Sequence, residues 1–222
     1  MFVKICGITR LTDALHAVEQ GATALGFIFW PRSSRAVSPE RAAEIVAELP
    51  SGITTVGVFV NEPIEGIRAL VAKTGITTVQ LHGDEPPAYA DALEWPLIRA
   101  VDADDVEDAC SAWSEQTVLL LDTIDPVRRG GTGVPVDWTV AAGVARRRRI
   151  VLAGGLTPDT VSTAIHAVRP YGVDVSSGVE SSPGVKDFDK VARFVASARS
   201  AFEIDRAQGK GHRGTWEGGR GK

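Results

Sequence analysis

The chain has 222 residues, of which 44% are hydrophobic, and its formal net charge is −4 at pH 7. This hydrophobic content allows one sizeable buried core and excludes an intrinsically disordered chain. The acidic balance provides no general attraction to nucleic acid or to anionic membranes, so we expect neither as a partner.

The two cysteines, Cys6 and Cys110, lie far apart and belong to no Cys/Cys or Cys/His pair with metal-binding spacing. We therefore expect neither a disulfide framework nor a bound metal, and a reducing compartment is the simplest interpretation. No segment reaches the ~18 uncharged apolar residues of a membrane span, and the N-terminus lacks the pattern of a secretory signal. The sequence therefore predicts a cytoplasmic protein.

Short apolar segments alternate with longer amphipathic segments along the chain, at about 25 residues per cycle. The apolar segments are rich in Val, Ile, Leu and Phe and are almost continuously apolar. This composition is typical of parallel strands that are covered on both faces by helices. The predicted strands are residues 2–6, 24–29, 54–60, 78–81, 97–101, 117–122, 150–153 and 172–176.

Four of the amphipathic segments begin with recognisable helix signals. Three of them place Ser, Asn or Thr ahead of a proline with an acidic residue nearby, the pattern of an N-cap with proline in the first turn. Gly21 and Gly75 stand where C-cap glycines belong. The predicted helices are residues 14–20 after Thr12-Asp13, a segment to Leu49 after Ser38-Pro39-Glu40, a segment to Lys73 after Asn61-Glu62-Pro63, and a segment to Val168 after Thr157-Pro158-Asp159.

Eight strand–helix units in about 200 residues favour a single (β/α)8 TIM barrel with eight parallel strands, and an open doubly wound sheet is the alternative. We assign residues 1–204 to the barrel. Residues 205–222 form a glycine-rich, charged tail without a hydrophobic period. We expect this tail to be disordered and assign it no function.

A run of four arginines, residues 146–149, precedes the seventh predicted strand, where a helix C-terminus is expected. We interpret the run as a solvated helix end whose charges complement the helix dipole, in preference to a polyanion-binding site. The arginine side chains are therefore expected to face solvent.

The barrel prediction also indicates where a site should lie, because sites in such barrels are formed by the C-terminal ends of the strands and the loops that follow them. Residues with unusual chemistry fall at these positions, so we expect nearly all of them on one rim. They are Cys6-Gly7, Trp30-Pro31-Arg32-Ser33-Ser34-Arg35, Asn61, His82-Gly83-Asp84, Asp102, Asp122, Gly154-Gly155 and Ser176-Ser177-Gly178.

Cys6 and Asp122 are the candidates for acid/base chemistry. A buried cysteine is usually a small hydrophobic residue, but a thiol that leaves a strand into a glycine turn at a barrel mouth is partly exposed. Asp122 follows four apolar residues and is either a turn residue or a rim carboxylate whose pKa is raised, which suits a general acid. We interpret the two as a pair that faces across the barrel mouth. Lys4 is not expected to lie beside the thiol.

Two glycine loops are candidates for phosphate binding. Gly154 and Gly155 follow the seventh predicted strand, and Ser177 and Gly178 follow the eighth. In barrels of this type these two loops commonly bind phosphate through backbone N–H groups. One glycine pair alone is usually a turn, but two in these positions favour a phosphorylated substrate.

Further candidates for substrate binding lie at the same rim. Arg32 and Arg35, after the second strand, are either solvated or placed to bind a carboxylate or phosphate. Gln80 and His82 belong to the fourth strand and its end, where His82 either orients a ligand or satisfies a turn. Gly131, in the glycine-rich loop after the sixth strand, completes the set of binding candidates.

The sequence contains no P-loop, no dinucleotide-binding GxGxxG after a strand and no HExxH metal motif. No lysine follows an apolar strand where a Schiff-base mechanism would need it. The sequence therefore predicts cofactor-free acid/base chemistry on a small molecule.

Seven segments of the chain form a specific set. They are Lys4-Ile5-Cys6-Gly7-Ile8-Thr9, Gly26-Phe27-Ile28-Phe29 with Ser33-Ser34-Arg35, Gly57-Val58-Phe59-Val60-Asn61, Val79-Gln80-Leu81-His82-Gly83-Asp84, Leu120-Leu121-Asp122, Ala153-Gly154-Gly155-Leu156 and Asp174-Val175-Ser176-Ser177-Gly178-Val179-Glu180. Together and in this order they resemble the phosphoribosylanthranilate isomerase family. The resemblance runs from Phe2 to about Phe194 and leaves only the tail uncovered.

The resemblance implies an enzyme of tryptophan biosynthesis that converts N-(5-phosphoribosyl)anthranilate to 1-(2-carboxyphenylamino)-1-deoxyribulose 5-phosphate by an Amadori rearrangement. It implies that Asp122 is the general acid that opens the furanose ring and that the Cys6 thiolate is the general base that takes the proton from C2. Arg35 would hold the anthranilate portion, and the glycine loops would hold the phosphate. In this chain Arg32 could share the role of Arg35 or compete for it.

Two other functions remain open. A related sugar isomerase of the histidine pathway resembles this fold and reaction but has an aspartate where Cys6 stands. A non-catalytic phosphosugar-binding barrel would need the phosphate loops but neither member of the acid/base pair. The expected partner is a small phosphoribosyl substrate, and the protein is expected to be a monomer or a homodimer.

Overall fold

The computed structural model describes residues 1–123 and 136–209. Eight parallel strands form a closed barrel in chain order, and a helix follows each strand. The strands are β1 (Phe2–Cys6), β2 (Ala24–Ile28), β3 (Thr54–Phe59), β4 (Thr78–Leu81), β5 (Leu97–Val101), β6 (Val118–Leu121), β7 (Ile150–Leu152) and β8 (Gly172–Val175).

The barrel closes because β1 pairs with both β2 and β8, which leaves no free edge. The TIM-barrel prediction is therefore confirmed, and the doubly wound alternative is wrong. The helices are α1 (Leu11–Glu19), α2 (Pro39–Ala47), α3 (Ile64–Thr74), α4 (Ala88–Ala92), α5 (Val106–Ala112), α6 (Trp138–Ala145), α7 (Val161–Val168) and α8 (Phe188–Ala207).

Two small elements lie between β8 and α8. A short 3-10 helix covers Ser177–Val179, and it is followed by an antiparallel hairpin of β9 (Glu180–Ser182) and β10 (Val185–Lys186). This insertion returns to the barrel rim, because the hydroxyl of Thr9 donates a hydrogen bond of 2.6 Å to the carbonyl oxygen of Gly184.

All eight predicted strands form, and several end one residue earlier than predicted because the chain leaves the sheet at the rim. The helix starts were predicted less well. Ser38 does cap α2, since its hydroxyl accepts a hydrogen bond of 3.1 Å from the backbone N–H of Arg41. Asn61 and Thr157 are not N-caps: α3 and α7 begin later, after Pro63 and Thr160.

Helix α1 begins at Leu11, three residues before the predicted start, and its N-cap residue makes no side-chain cap. Asp13 therefore lies inside the helix, where it is buried and accepts two hydrogen bonds from Arg10, of 2.6 and 2.9 Å. Gly75 is the C-cap of α3 with a φ of 72°, as predicted, because a left-handed backbone favours glycine.

The apolar side chains form two layers. The larger layer fills the space between the outside of the barrel and the helices, and it includes Val3, Ile5, Phe27 and Phe194. The smaller layer fills the barrel interior. Each fully buried aliphatic or aromatic side chain contributes roughly 1.5–3 kcal/mol, so the barrel wall is held from both faces. Its interior members are Phe2, Ala24, Val56, Ile98, Ala100, Val118, Leu120, Val151 and Ala153.

The arginine run lies after α6, where the helix end was expected, but the expectation that all its side chains are solvated is wrong for Arg148. This residue is 8% exposed and donates hydrogen bonds of 2.5–3.0 Å to four backbone carbonyl oxygens around the end of α5 and the start of β6. Its guanidinium has enough N–H donors to satisfy several helix-end carbonyls at once. Arg147 instead pairs with Glu107 at the surface.

Helix α8 continues through residues 205–207, and Asp205 is buried against α7, where it accepts a hydrogen bond of 2.8 Å from His166. Residues 210–222, most of the predicted tail, lie outside the described part of the chain. In the ranges 1–123 and 136–209 no helix is both long enough and apolar enough to cross a membrane.

Candidate active site

Cys6 is the last residue of β1 and is buried, with 6% exposure. The chain turns sharply after it, since Gly7 has a φ of +76°. On the neighbouring strand, a Cβ atom at Gly26 would lie 2.7 Å from the Cys6 sulfur and 3.0 Å from Cε of Lys4. Glycine at position 26 therefore provides the space that the thiol and the lysine occupy.

Lys4 lies beside the thiol, so the sequence-based expectation was wrong. Residues two apart on a strand share a face, and Lys4 and Cys6 both face the barrel interior. The Lys4 side chain is fully buried, and its Nζ donates a hydrogen bond of 3.1 Å to Oδ2 of Asp174. Lys4 and Asp174 are directly opposite each other in the pairing of β1 with β8.

This ion pair lies in the electrostatic environment of the thiol. Burial raises the pKa of Cys6 above its ordinary value, the Lys4 ammonium works against that shift, and Asp174 adds to it. For Lys4, burial would lower the pKa, but the charge of Asp174 and the interaction with Cys6 outweigh burial and the net direction is upward. Lys4 therefore stays charged and can stabilise a thiolate at Cys6.

Asp122 follows β6 directly and is 8% exposed. Its Oδ1 accepts a hydrogen bond of 2.9 Å from the backbone N–H of Thr123. Burial raises the pKa of Asp122 to about 7, with a further contribution from the charge of Asp174, while Thr123 and Lys4 act in the opposite direction. The carboxyl group is therefore populated in both protonation states near neutral pH, as a general acid requires.

Gln80 and His82 extend the site along β4. Gln80 is 1% exposed and its amide is 3.0 Å from Nδ1 of His82. His82 Nε2 lies 3.9 Å from Oδ2 of Asp122. The structure thus brings three of the predicted site residues together across β4 and β6.

Arg35 reaches the rim above the Cys6–Gly7 turn. A Cβ atom at Gly7 would lie 2.8 Å from Cδ of Arg35 and 3.1 Å from the hydroxyl oxygen of Ser176. The arginine stem and the loop after β8 therefore pack over the turn that carries the thiol. Arg32, in contrast, is exposed.

The two predicted phosphate loops contact each other. Gly154 and Gly155 both have a left-handed backbone, with φ of 74° and 65°, and the adjacent Leu156 carbonyl oxygen lies against Gly178, where a Cβ atom would approach within 2.0 Å. Only glycine permits this approach, which brings the loops after β7 and β8 backbone to backbone. Ser177 opens the 3-10 helix that follows β8. Gly131 lies outside the described residues.

Three charged residues that organise the site were not among the residues predicted from sequence: Lys4, Asp174 and the rim carboxylate Glu180. Lys4 and Asp174 each interrupt an otherwise apolar strand at an inward-facing position, and such a charge needs a buried partner. That signal could have found the ion pair. In the two described ranges, no group of three or more His, Cys, Asp or Glu side chains is arranged to hold a metal ion.

Comparison with known proteins agrees with this geometry. The family described as N-(5'-phosphoribosyl)anthranilate (PRA) isomerase matches residues 3–197. The N-(5'-phosphoribosyl)anthranilate isomerase of Pelobacter propionicus is 48% identical over 199 residues, which cover 89% of this chain and 95% of that protein. The Geobacter metallireducens protein of the same name is also 48% identical and covers 89% of this chain and 98% of its own.

Solved structures give the same result. The crystal structure of phosphoribosyl anthranilate isomerase from Thermotoga maritima has a TM-score of 0.83 and 44% identity, covering 90% of this chain and 99% of that one. A crystal structure of phosphoribosyl anthranilate isomerase in complex with reduced 1-(o-carboxyphenylamino)-1-deoxyribulose 5-phosphate has a TM-score of 0.81 and 43% identity, with the same coverage. The chain therefore belongs to the phosphoribosylanthranilate isomerase family, the aldose–ketose isomerases of tryptophan biosynthesis.

Proposed function

We propose that Asp122 and Cys6 carry out, as general acid and general base, the Amadori rearrangement of N-(5-phosphoribosyl)anthranilate to 1-(2-carboxyphenylamino)-1-deoxyribulose 5-phosphate. The observation that carries this assignment is that both groups are buried at the C-terminal ends of their strands and interact with the same Lys4–Asp174 pair. One substrate held at the barrel mouth can therefore meet both groups.

In this mechanism protonated Asp122 donates its proton to the furanose ring oxygen. The bond from C1 to that oxygen breaks, and the anthranilate nitrogen lone pair forms the C1=N bond of a protonated Schiff base. The Cys6 thiolate then removes the proton from C2, which gives an enolamine. Tautomerisation adds a proton at C1, removes the hydroxyl proton at C2 and yields the ketose. Proton transfer by positioned groups of this kind contributes typically ~10²–10⁴-fold to a rate.

The pKa directions define which protonation state reacts. The mechanism needs a thiolate and a carboxylic acid, but the pKa of Asp122 is about 7 and burial raises that of Cys6 above its ordinary range. Asp122 therefore ionises at a lower pH than Cys6 does, so the form with a carboxylate and a neutral thiol outweighs the reactive form. The buried ammonium of Lys4 stabilises the thiolate of the reactive form, because it lies next to the sulfur that must become negative.

Substrate binding is assigned to the remaining rim residues. Backbone N–H groups at Gly154, Gly155, Ser177 and Gly178 would hold the phosphate, since their loops pack together at the ends of β7 and β8. Arg35 would hold the anthranilate carboxylate. The other proposed contacts come from Gln80, His82 and Gly131, with Arg32 as a secondary candidate beside Arg35.

We also propose a cytoplasmic location, no role in catalysis for residues 205–222, and a monomeric or homodimeric state. A crystal structure of monomers generated from the dimeric Thermotoga maritima isomerase is 42% identical to this chain, which makes either state compatible with the fold. Light scattering on the purified protein distinguishes the two.

The activity test follows the loss of anthranilate-type fluorescence when freshly generated substrate is added to the protein. We expect rapid conversion by the wild type and a loss of turnover of ~10²–10⁴-fold in Asp122→Asn and in Cys6→Ser, with substrate affinity nearly unchanged. Wild-type turnover in either variant would remove that residue from its role. Absence of conversion by folded wild-type protein would favour the phosphosugar-binding barrel, and the histidine-pathway substrate would be tested next.

A further inference from the structure

Glu180 is a buried carboxylate at the rim that the mechanism above does not use. Its side chain is 4% exposed. Nε of Arg35 donates to both carboxylate oxygens, at 2.9 and 3.0 Å, and Nη2 of Arg35 donates to Oε2 at 2.7 Å. This is a two-pronged pairing, the strongest and most directional contact that an arginine makes with a carboxylate.

The carboxylate is itself held from the other side. Nζ of Lys186 donates to Oε1 at 2.8 Å, and the backbone N–H of Gly184 donates to the same oxygen at 3.2 Å. The Lys186 side chain is fully buried and also contacts the carbonyl oxygen of Ser176, at 3.3 Å. Burial alone would raise the pKa of Glu180, but Arg35 and Lys186 reverse the shift, so its pKa lies below the ordinary value and the group stays ionised.

The pairing leaves one edge of the guanidinium available. Arginine has five N–H donors in one rigid plane, and Glu180 takes the edge formed by Nε and Nη2. In the described residues no hydrogen bond engages Nη1 of Arg35, and the side chain remains 17% exposed. The edge formed by Nη1 and the second N–H of Nη2 can therefore bind a second carboxylate in the same plane.

From this geometry we infer that Glu180 is a positioning residue that aims Arg35 at the carboxylate of the substrate's aromatic ring, with Lys186 fixing Glu180 in turn. The inference rests on the proposed role of Arg35 and deepens it. Glu180 directly follows the 3-10 helix of the phosphate loop, and its backbone N–H donates to the carbonyl oxygen of Ser177. One continuous segment thus sets the distance between the groups that hold the two anionic ends of the substrate.

The test uses two stable ligands that differ only in the aromatic carboxyl group. The first is the reduced product analogue, reduced 1-(o-carboxyphenylamino)-1-deoxyribulose 5-phosphate, and the second is its counterpart with an unsubstituted phenyl ring. Dissociation constants are measured by calorimetry for the wild type, for Glu180→Gln and for the exposed control Glu203→Gln, which removes the same charge away from the site.

We expect the wild type and Glu203→Gln to bind the carboxylated ligand more tightly than the other. Glu180→Gln should weaken binding of the carboxylated ligand about tenfold, the size of one lost charged hydrogen bond, and change binding of the other ligand less than about twofold. Turnover at saturation should fall less than the apparent affinity for substrate. A purely structural role would weaken both ligands equally.

An equal loss for both ligands, or no loss for either, overturns the inference while the assignment of Arg35 stands. Wild-type protein that fails to distinguish the ligands overturns both. Glu180→Asp covers the case in which Glu180→Gln does not fold, because it keeps the charge beside Lys186 but shortens the reach to Arg35. It should also lose preference for the carboxylated ligand, and a full wild-type preference in this variant would contradict the positioning role.

Discussion

The two ends of the barrel interior are built from different chemistry. At the N-terminal ends of the strands the interior is apolar, with the ring of Phe2 stacked on Tyr171 at a centroid distance of 5.9 Å beside Val118. Toward the C-terminal ends the same interior holds the ion pair of Lys4 with Asp174, together with Asp122 and the thiol. Buried apolar surface stabilises the fold, whereas buried charge lowers stability unless it is well paired. The comparison shows that stability and chemistry are separated along one barrel axis.

Asp122→Asn should give the largest effect on stability. Because the pKa of Asp122 is raised from 3.8 to about 7 in the folded state, the neutral form is the one that folding favours. The contribution of Asp122 to the free energy of unfolding of the wild type is therefore highest below about pH 4 and falls as the pH rises through about 7. The substitution removes that loss, so we expect the variant to be more stable than the wild type by up to about 4 kcal/mol at pH 8.

The same measurement at low pH is the control. Near pH 3.5 the carboxyl group is largely neutral in both the folded and the unfolded state, so wild type and variant should have similar free energies of unfolding. Urea denaturation at several pH values between 3.5 and 9 gives the whole curve. If the difference in free energy of unfolding between wild type and variant does not change with pH, Asp122 is not the buried group that titrates at the C-terminal end of the barrel interior.

Gly26→Ala tests how closely the side chains are packed at the C-terminal end of the barrel interior, around Cys6 and Lys4. The added Cβ would lie 2.7 Å from the Cys6 sulfur, so the thiol must shift. Misplacement of a reacting group by about 1 Å can lower turnover about 10²-fold, and we expect a loss of that size. The rate of thiol alkylation measures the position of the sulfur independently. Unchanged turnover and alkylation would mean that the strand moves instead and that this end is less rigid than the structure indicates.

The strands and their order follow from the sequence because both faces of each strand are covered, which makes the apolar segments continuous and easy to delimit. Helix starts are less predictable, since a cap depends on local geometry that several residues can provide. Asn61, for example, is of a residue type that is common at N-caps. It adopts a left-handed backbone with a φ of 53°, and its side-chain amide contacts Asp84 instead. This conformation depends on how the loop after β3 packs against the loop after β4, which the sequence pattern does not reveal.

Cys6 and Asp122 could be selected from sequence because each ends an apolar strand, but their surroundings could not. Asp174 lies 170 residues from Lys4 along the chain, and Glu180 lies 145 residues from Arg35. Such pairs depend on barrel closure and strand register. Once the barrel is known to be closed, the alternation of inward and outward side chains along β1 and β8 predicts the Lys4–Asp174 pair. The Arg35–Glu180 contact instead depends on the path of the irregular loop after β8.

The smallest effect is expected at the apolar end, from Thr78→Val. Thr78 is 1% exposed, and within residues 1–123 and 136–209 its hydroxyl oxygen has no hydrogen-bond partner. Valine has nearly the same shape without the buried polar atom, so the free energy of unfolding should increase by about 1 kcal/mol. Because Thr78 lies at the opposite end from the thiol, turnover should remain that of the wild type. Both Thr78→Val and Asp122→Asn would then stabilise the protein, but only the second would inactivate it. Loss of turnover in Thr78→Val would contradict the separation of the two ends.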